Sequence, residues 1–259
     1  MKLTMELFDT HCHLDFSDFD HDRDHVINNA KQHGVNSILV PSVAQKTWYQ
    51  TIKLCQQSNA CHLALGLHPI FINQHQPHHL NELDELVLQH KPIAIGEIGL
   101  DFYDNKDTLN KEKQSLFFDK QLIIAKQHRL PVIIHNRKAH DQCLSMLKEH
   151  GIHGGIIHAF NGSIQQAEKY IEMGFMLGFG GMLTFERSSK LHKLAQHIPI
   201  ESIVLETDAP DMTVFQHSGQ RNSPEYVPYI ADSLAKLTGK TIQEVALITT
   251  SNAKQILNL

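Results

Sequence analysis

Eight short apolar, β-rich runs recur along the chain: MELFDTH (5–11), NSILVPSV (36–43), HLALGLHP (62–69), PIAIGEIGLD (92–101), LPVIIHNR (130–137), GGIIHAF (154–160), GFMLGFGG (174–181) and ESIVLETDAP (201–210). Several are nearly continuous in apolar residues, the pattern of parallel strands buried on both faces. Between them lie amphipathic segments of helical period: 22–34, 46–57, 80–91, 112–129, 140–151, 163–174 and 188–199. Many of these end in glycine or a basic residue, a normal helix stop. Within 112–129, Leu116, Phe117 and Leu122 are expected to face the core. Two further helices, over 223–239 and 241–259, are expected to follow the last strand. Alternation of strand and helix about eight times predicts an α/β fold, a (β/α)8 TIM barrel, as one domain over residues 1–259. A doubly wound open sheet would put a glycine-rich phosphate loop after the first strand. That place is held instead by THCHLD.

Polar residues fall at the ends of these runs. The first ends in His11 and His13, the third in His68, and the fourth in Glu97 and Asp101. The fifth ends in His135 and Arg137, the sixth in His158, and the eighth in Glu206 and Asp208. In a barrel the C-terminal strand ends converge on one rim, where active sites are built. Imidazole and carboxylate donors without thiolate suit Zn²⁺, Mn²⁺ or Mg²⁺. Four imidazoles (His11, His13, His135, His158) and two carboxylates (Glu97, Asp208) exceed the complement of an ordinary catalytic zinc site. The surplus points to two divalent ions sharing a bridge, and Glu97, midway round the barrel, is the expected bridge.

Composition narrows the setting. The 259 residues carry a net charge of −5, which argues against a broad duplex-DNA footprint but leaves room for a local phosphate pocket. Most of the 20 histidines sit in polar, turn-like surroundings and are expected at the surface. No apolar run long enough to span a membrane and no secretory pattern is present, so no membrane association is expected. Cys12, Cys55, Cys61 and Cys143 form no CxxC pair and are expected as reduced thiols of a cytoplasmic protein. Cys12, opposite its neighbours, is expected to be a small buried residue. No coiled-coil segment calls for an oligomer, and a monomer is expected.

The stretches DTHCHLD, LGLHP, GEIGLDF, LPVIIHNR, HAFNGS, LETDAPDM and TTSNA follow one another over nearly the whole chain. In these the chain resembles the TatD family of metal-dependent hydrolases and deoxyribonucleases, within the amidohydrolase-like barrels. The resemblance implies His11, His13, Glu97 and Asp208 on one ion, with Glu97, His135 and His158 on the other. Asn136, Lys138, Ala159 and Ser223 depart from the residues usual at those places, and bear on substrate preference. The expected activity is phosphodiester cleavage by two-metal activation of water, with DNA or another phosphoester as substrate and Asp208 as general base. His68, Arg137 and Arg221 are expected to contact substrate. Arg187 is a further candidate, in a segment that otherwise reads as a glycine-rich connection. Glu206 either orients a ligand histidine or is structural, and Asp9 is expected to be structural. Competing readings are hydrolysis of another ester, lactone or amide such as aminoacyl-RNA, and a scaffold without turnover.

Overall fold

Each of the eight apolar runs becomes a strand. The structure, a computed structural model, describes residues 5–103 and 107–259. Among the described residues the strands are β1 Leu7–Asp9, β2 Val35–Pro41, β3 Cys61–Leu65, β4 Ala94–Asp101, β5 Val132–Arg137, β6 Gly155–Ile157, β7 Phe175–Phe179 and β8 Ile203–Leu205. The helices between them are α1 Arg23–Gln32, α2 Trp48–Gln57, α3 His78–His90, α4 Thr108–His128, α5 His140–His150, α6 Ile164–Glu172 and α7 Ser189–His197. Two more, α8 Val227–Thr238 and α9 Ile242–Ile256, follow β8. The sheet runs β1 to β8 in sequence order with every paired neighbour parallel. This is the expected TIM barrel.

The seam between β8 and β1 is closed by backbone bonds. Thr10 N–H donates to Leu205 O at 2.9 Å, Asp208 N–H to His11 O at 2.8 Å, and His13 N–H to Ala209 O at 2.8 Å. Asp9, fully buried, accepts from the Thr207 backbone N–H (2.9 Å) and hydroxyl (2.6 Å) across this seam. Burial raises its carboxyl to about 8 despite these donors. Asp9 is thus a strut of the closure. Cys12, also fully buried, forms the adjoining bridge with Ala209.

Apolar side chains line the barrel interior from Phe8 of β1 to Val204 of β8, and Ala253 and Leu257 from α9 and its end pack against them. The larger apolar layer lies between strands and helices. In α4 the buried face is Gln114, Phe117, Phe118, Gln121, Leu122, Ile124 and Ala125, at the 3–4 spacing of one helical stripe. Phe117 and Leu122 face the core as expected. Leu116 does not: it is 52% exposed, because two glutamines take apolar places on the buried stripe. Gln121 grips the backbone of Leu67, accepting at 2.7 Å and donating at 3.2 Å. Gln114 grips Asp101 in the same way, at 2.8 and 3.0 Å. Polar satisfaction of these strand-end peptide groups outweighs apolar burial at the two positions.

Candidate metal centre

The strand ends bring four imidazoles and two carboxylates into one cup. His11 Nε2 lies 3.3 Å from His13 Nε2 and 3.2 Å from Glu97 Oε2. His13 Nε2 lies 3.5 Å from both Glu97 Oε2 and Asp208 Oδ1. His135 Nδ1 stands 3.0 Å from the other Glu97 oxygen, Oε1. His158 Nε2 is 4.0 Å from Oε1 and 3.5 Å from Asp208 Oδ1, and its ring stacks on His11 at 3.6 Å. All six residues expected as ligands are therefore neighbours here.

Among the described residues three compact donor groups emerge: His11 with His13 and Glu97, His11 with His158 and Asp208, and His68 with Glu97 and His135. His68 was expected beside substrate, and it enters the third group through Nε2, 3.0 Å from Glu97 Oε1. Its other nitrogen decides its role. Nδ1 accepts from the Ile70 N–H at 3.0 Å, and burial lowers the ring to about 4, so it is neutral with its proton on Nε2. His68 thus donates to Glu97 and offers the cup no lone pair.

The donor chemistry suits divalent cations. Two imidazole nitrogens 3.3 Å apart, beside a buried carboxylate, stand as two ligands of one cation do. Burial alone would raise Glu97, but the imidazoles, His68 and His11 foremost, hold it well below the usual carboxylate range. Asp208 is held at about 2 against its own burial, chiefly by His158. His135 is raised to about 9 against burial by its hydrogen bonds to Asp101 and Glu97. Protons on His135 and His158 therefore offset carboxylate charge that bound cations would offset as well.

The surrounding backbone is strained where the cup is tightest. Asp208 has φ 60° and Ala159 φ 43°, a left-handed region that costs a residue with a side chain about 1–3 kcal/mol. The bond from Asp208 N–H to His11 O pins the first. The second is pinned by Glu206 Oε1, which accepts from Ala159 N–H at 2.6 Å. Glu206 is buried and lies against Gly178 of β7, where a Cβ would collide with its carboxylate. Gly178→Ala is expected to destabilise the fold by about 1–3 kcal/mol through overpacking. Urea unfolding checks this, and unchanged stability would mean that Glu206 has room to move.

The cup opens into a cavity of about 850 Å³. Arg137 lines it, exposed, with its guanidinium 3.5 Å from the centroid of the Tyr103 ring. Arg187 lines it as well, over Phe185. Arg221 corrects an expectation. It pairs with both oxygens of Asp22 at 2.9 and 2.6 Å, lies over Phe19, and stays outside the lining. Among the departing residues, Asn136 is buried, donates to the Tyr170 hydroxyl at 3.1 Å and still borders the cavity. Sequence reasoning missed part of the far wall of the cavity, where Phe160 and Leu194 look like ordinary core residues, while Phe179 lies in the glycine-rich segment that also carries Arg187. It also gave Asp101 no task, although Asp101 Oδ2 lies 2.9 Å from His135 Nε2.

A (β/α)8 barrel with imidazoles and carboxylates gathered on its C-terminal rim defines the class of metal-dependent barrel hydrolases. A family described as TatD related DNase matches residues 8–258. The "uncharacterized metal-dependent hydrolase YjjV" of Escherichia coli K12 is 36% identical over 97% of each chain, and its crystal structure superposes with a TM-score of 0.94 over 99% of this chain. YabD of Bacillus subtilis, named in the same words, is 37% identical over 98% of this chain and 99% of its own. A TatD family hydrolase of Entamoeba histolytica, 22% identical with a TM-score of 0.87, shares the fold over 98% of this chain and 99% of its own. The chain belongs to the TatD family of metal-dependent hydrolases. Among the described residues no helix is long and apolar enough to cross a membrane.

Proposed function

We propose that this protein is a phosphodiesterase acting on DNA with two divalent ions, Zn²⁺, Mg²⁺ or Mn²⁺. The observation that carries the reading is the division of Glu97. Its Oε2 faces His11 and His13 while its Oε1 faces His135 and, further off, His158. A carboxylate so divided is suited to join two cations. His11, His13, Glu97 and Asp208 would hold one ion, and Glu97, His135 and His158 the other. Bound divalent cations supply Lewis acidity, lowering the pKa of water and offsetting charge that builds on a phosphoryl oxygen.

The chain's own groups do the rest. Asp208 keeps its carboxylate ionised and is the proton acceptor for the attacking water, Oδ1 being the oxygen turned toward His13 and His158. His68 carries a proton on Nε2 and can pass this hydrogen bond from Glu97 to a phosphoryl oxygen. Arg137, stacked on Tyr103, offers its guanidinium edge to the same anion.

A second reading keeps the cup and changes the bond to another ester or a lactone. The apolar far wall favours it, since Phe160, Phe179 and Leu194 suit an uncharged substrate group. One assay separates the two. Metal-stripped protein is resupplied with Mg²⁺, Mn²⁺ or Zn²⁺ and offered single-stranded DNA beside an aryl ester. Metal-dependent cleavage of the DNA is the expected result. Ester turnover with the DNA intact would move the protein to the second reading.

A further inference from the structure

The four imidazoles expected as ligands are not supported alike. Each turns one nitrogen inward, so what meets the other nitrogen governs its tautomer and ring orientation. For His135 that partner is a carboxylate, Asp101, with Oδ2 at 2.9 Å from Nε2. For His158 it is again a carboxylate, Glu206, with Oε1 at 3.0 Å from Nδ1, too bent for a good hydrogen bond but close as an ion pair. His13 has only a neutral partner, the Pro41 carbonyl at 3.3 Å from Nδ1. His11 Nδ1 is buried with no partner among the described residues.

Both carboxylates are built into their places. Asp101 is 6% exposed, its Oδ1 accepts from Tyr103 N–H at 3.0 Å, and Gln114 clamps its backbone. Register explains its reach: Gly99 pairs with His135, so Asp101 lies two residues further toward the rim on the neighbouring strand. Glu206 is 1% exposed and spans β7 to reach the end of β6. β7 allows this because Gly178 lacks the side chain that would occupy the carboxylate's space. The strand that ends GFGG brings no donor of its own to the cup and gives its share of the rim to Glu206.

We infer that Asp101 and Glu206 are positioning residues dedicated to one of the two ions, the one held by His135 and His158. The inference rests on the two-ion reading above. A carboxylate behind a ligand imidazole fixes the ring and strengthens the inward nitrogen as a donor, and its loss typically costs about 10–100-fold in metal affinity. Since neither carboxylate backs His11 or His13, that loss falls on one ion and spares the other.

Equilibrium dialysis of the metal-stripped protein against Mn²⁺, with bound metal counted per chain, tests this without any turnover. The wild type is expected to take up two ions. Asp101→Asn and Glu206→Gln are expected to bind one as before and the other about 10–100-fold more weakly. His11→Ala is the comparator that weakens the opposite position. Near-UV circular dichroism reports whether each variant is folded. Should buried Glu206→Gln fail to fold, Asp101→Asn alone decides, because it keeps shape and the Oδ1 acceptor. Two ions held at wild-type affinity in the folded variants would overturn the inference, and so would equal loss of both. A wild type that binds a single ion would instead remove the two-ion reading. The inference then fails unless Asp101→Asn weakens that ion by about tenfold or more.

Discussion

Asp208→Asn is expected to lower kcat on a phosphodiester by about 10²–10⁴-fold, the range of a lost general base, while KM moves far less. Burial would favour the neutral acid, yet His158, then His11 and His13, hold the carboxyl at about 2, so it is ionised at neutral pH. Asparagine keeps the shape and the backbone bond to His11 O but cannot accept a proton. The left-handed φ of 60° is as open to asparagine as to aspartate, so the fold is expected to persist. Steady-state kinetics beside a count of bound metal checks the claim. Wild-type turnover would remove Asp208 as base, and loss of metal without further loss of rate in the reloaded protein would make it a ligand only.

Glu97→Ala is expected to weaken both ions together, each by more than the roughly 10–100-fold typical of an indirect supporting group. Its two oxygens lie between 3.0 and 4.0 Å of five histidines, whereas Asp208 reaches His11, His13 and His158 through Oδ1 alone. Metal counted per chain after dialysis reads the outcome. Two tightly held ions in the variant would contradict the bridge. Selective loss of one ion would make Glu97 an ordinary ligand of that ion.

Much of this arrangement is legible from period and spacing. The barrel follows from the eight apolar runs, and the cup from the rule that parallel strand ends share a rim. His11 and His13 point inward together because they stand two apart at the end of an extended run. Other features depend on partners that no local pattern announces. Leu116 misleads because Gln114 and Gln121 occupy the inward stripe of α4, so polarity ceases to mark the outer face. Arg221 misleads because Asp22, its partner, lies 199 residues earlier in the chain. Asp101 is visible as a strand-end acid, but its service to His135 depends on the register between β4 and β5.

The seam between the first and last strands has a consequence for how activity arises. His11 and His13 follow β1, while Asp208 follows β8, and Asp9 and Thr207, 198 residues apart, are tied across the same join. A nascent or partly folded chain with seven strands assembled would possess a rim but no working catalyst. On the proposed reading, competence would await closure of this seam, and any cation shared by His11 and Asp208 would act as a clasp on it. Binding and closure would then be linked equilibria, each drawing the other toward completion.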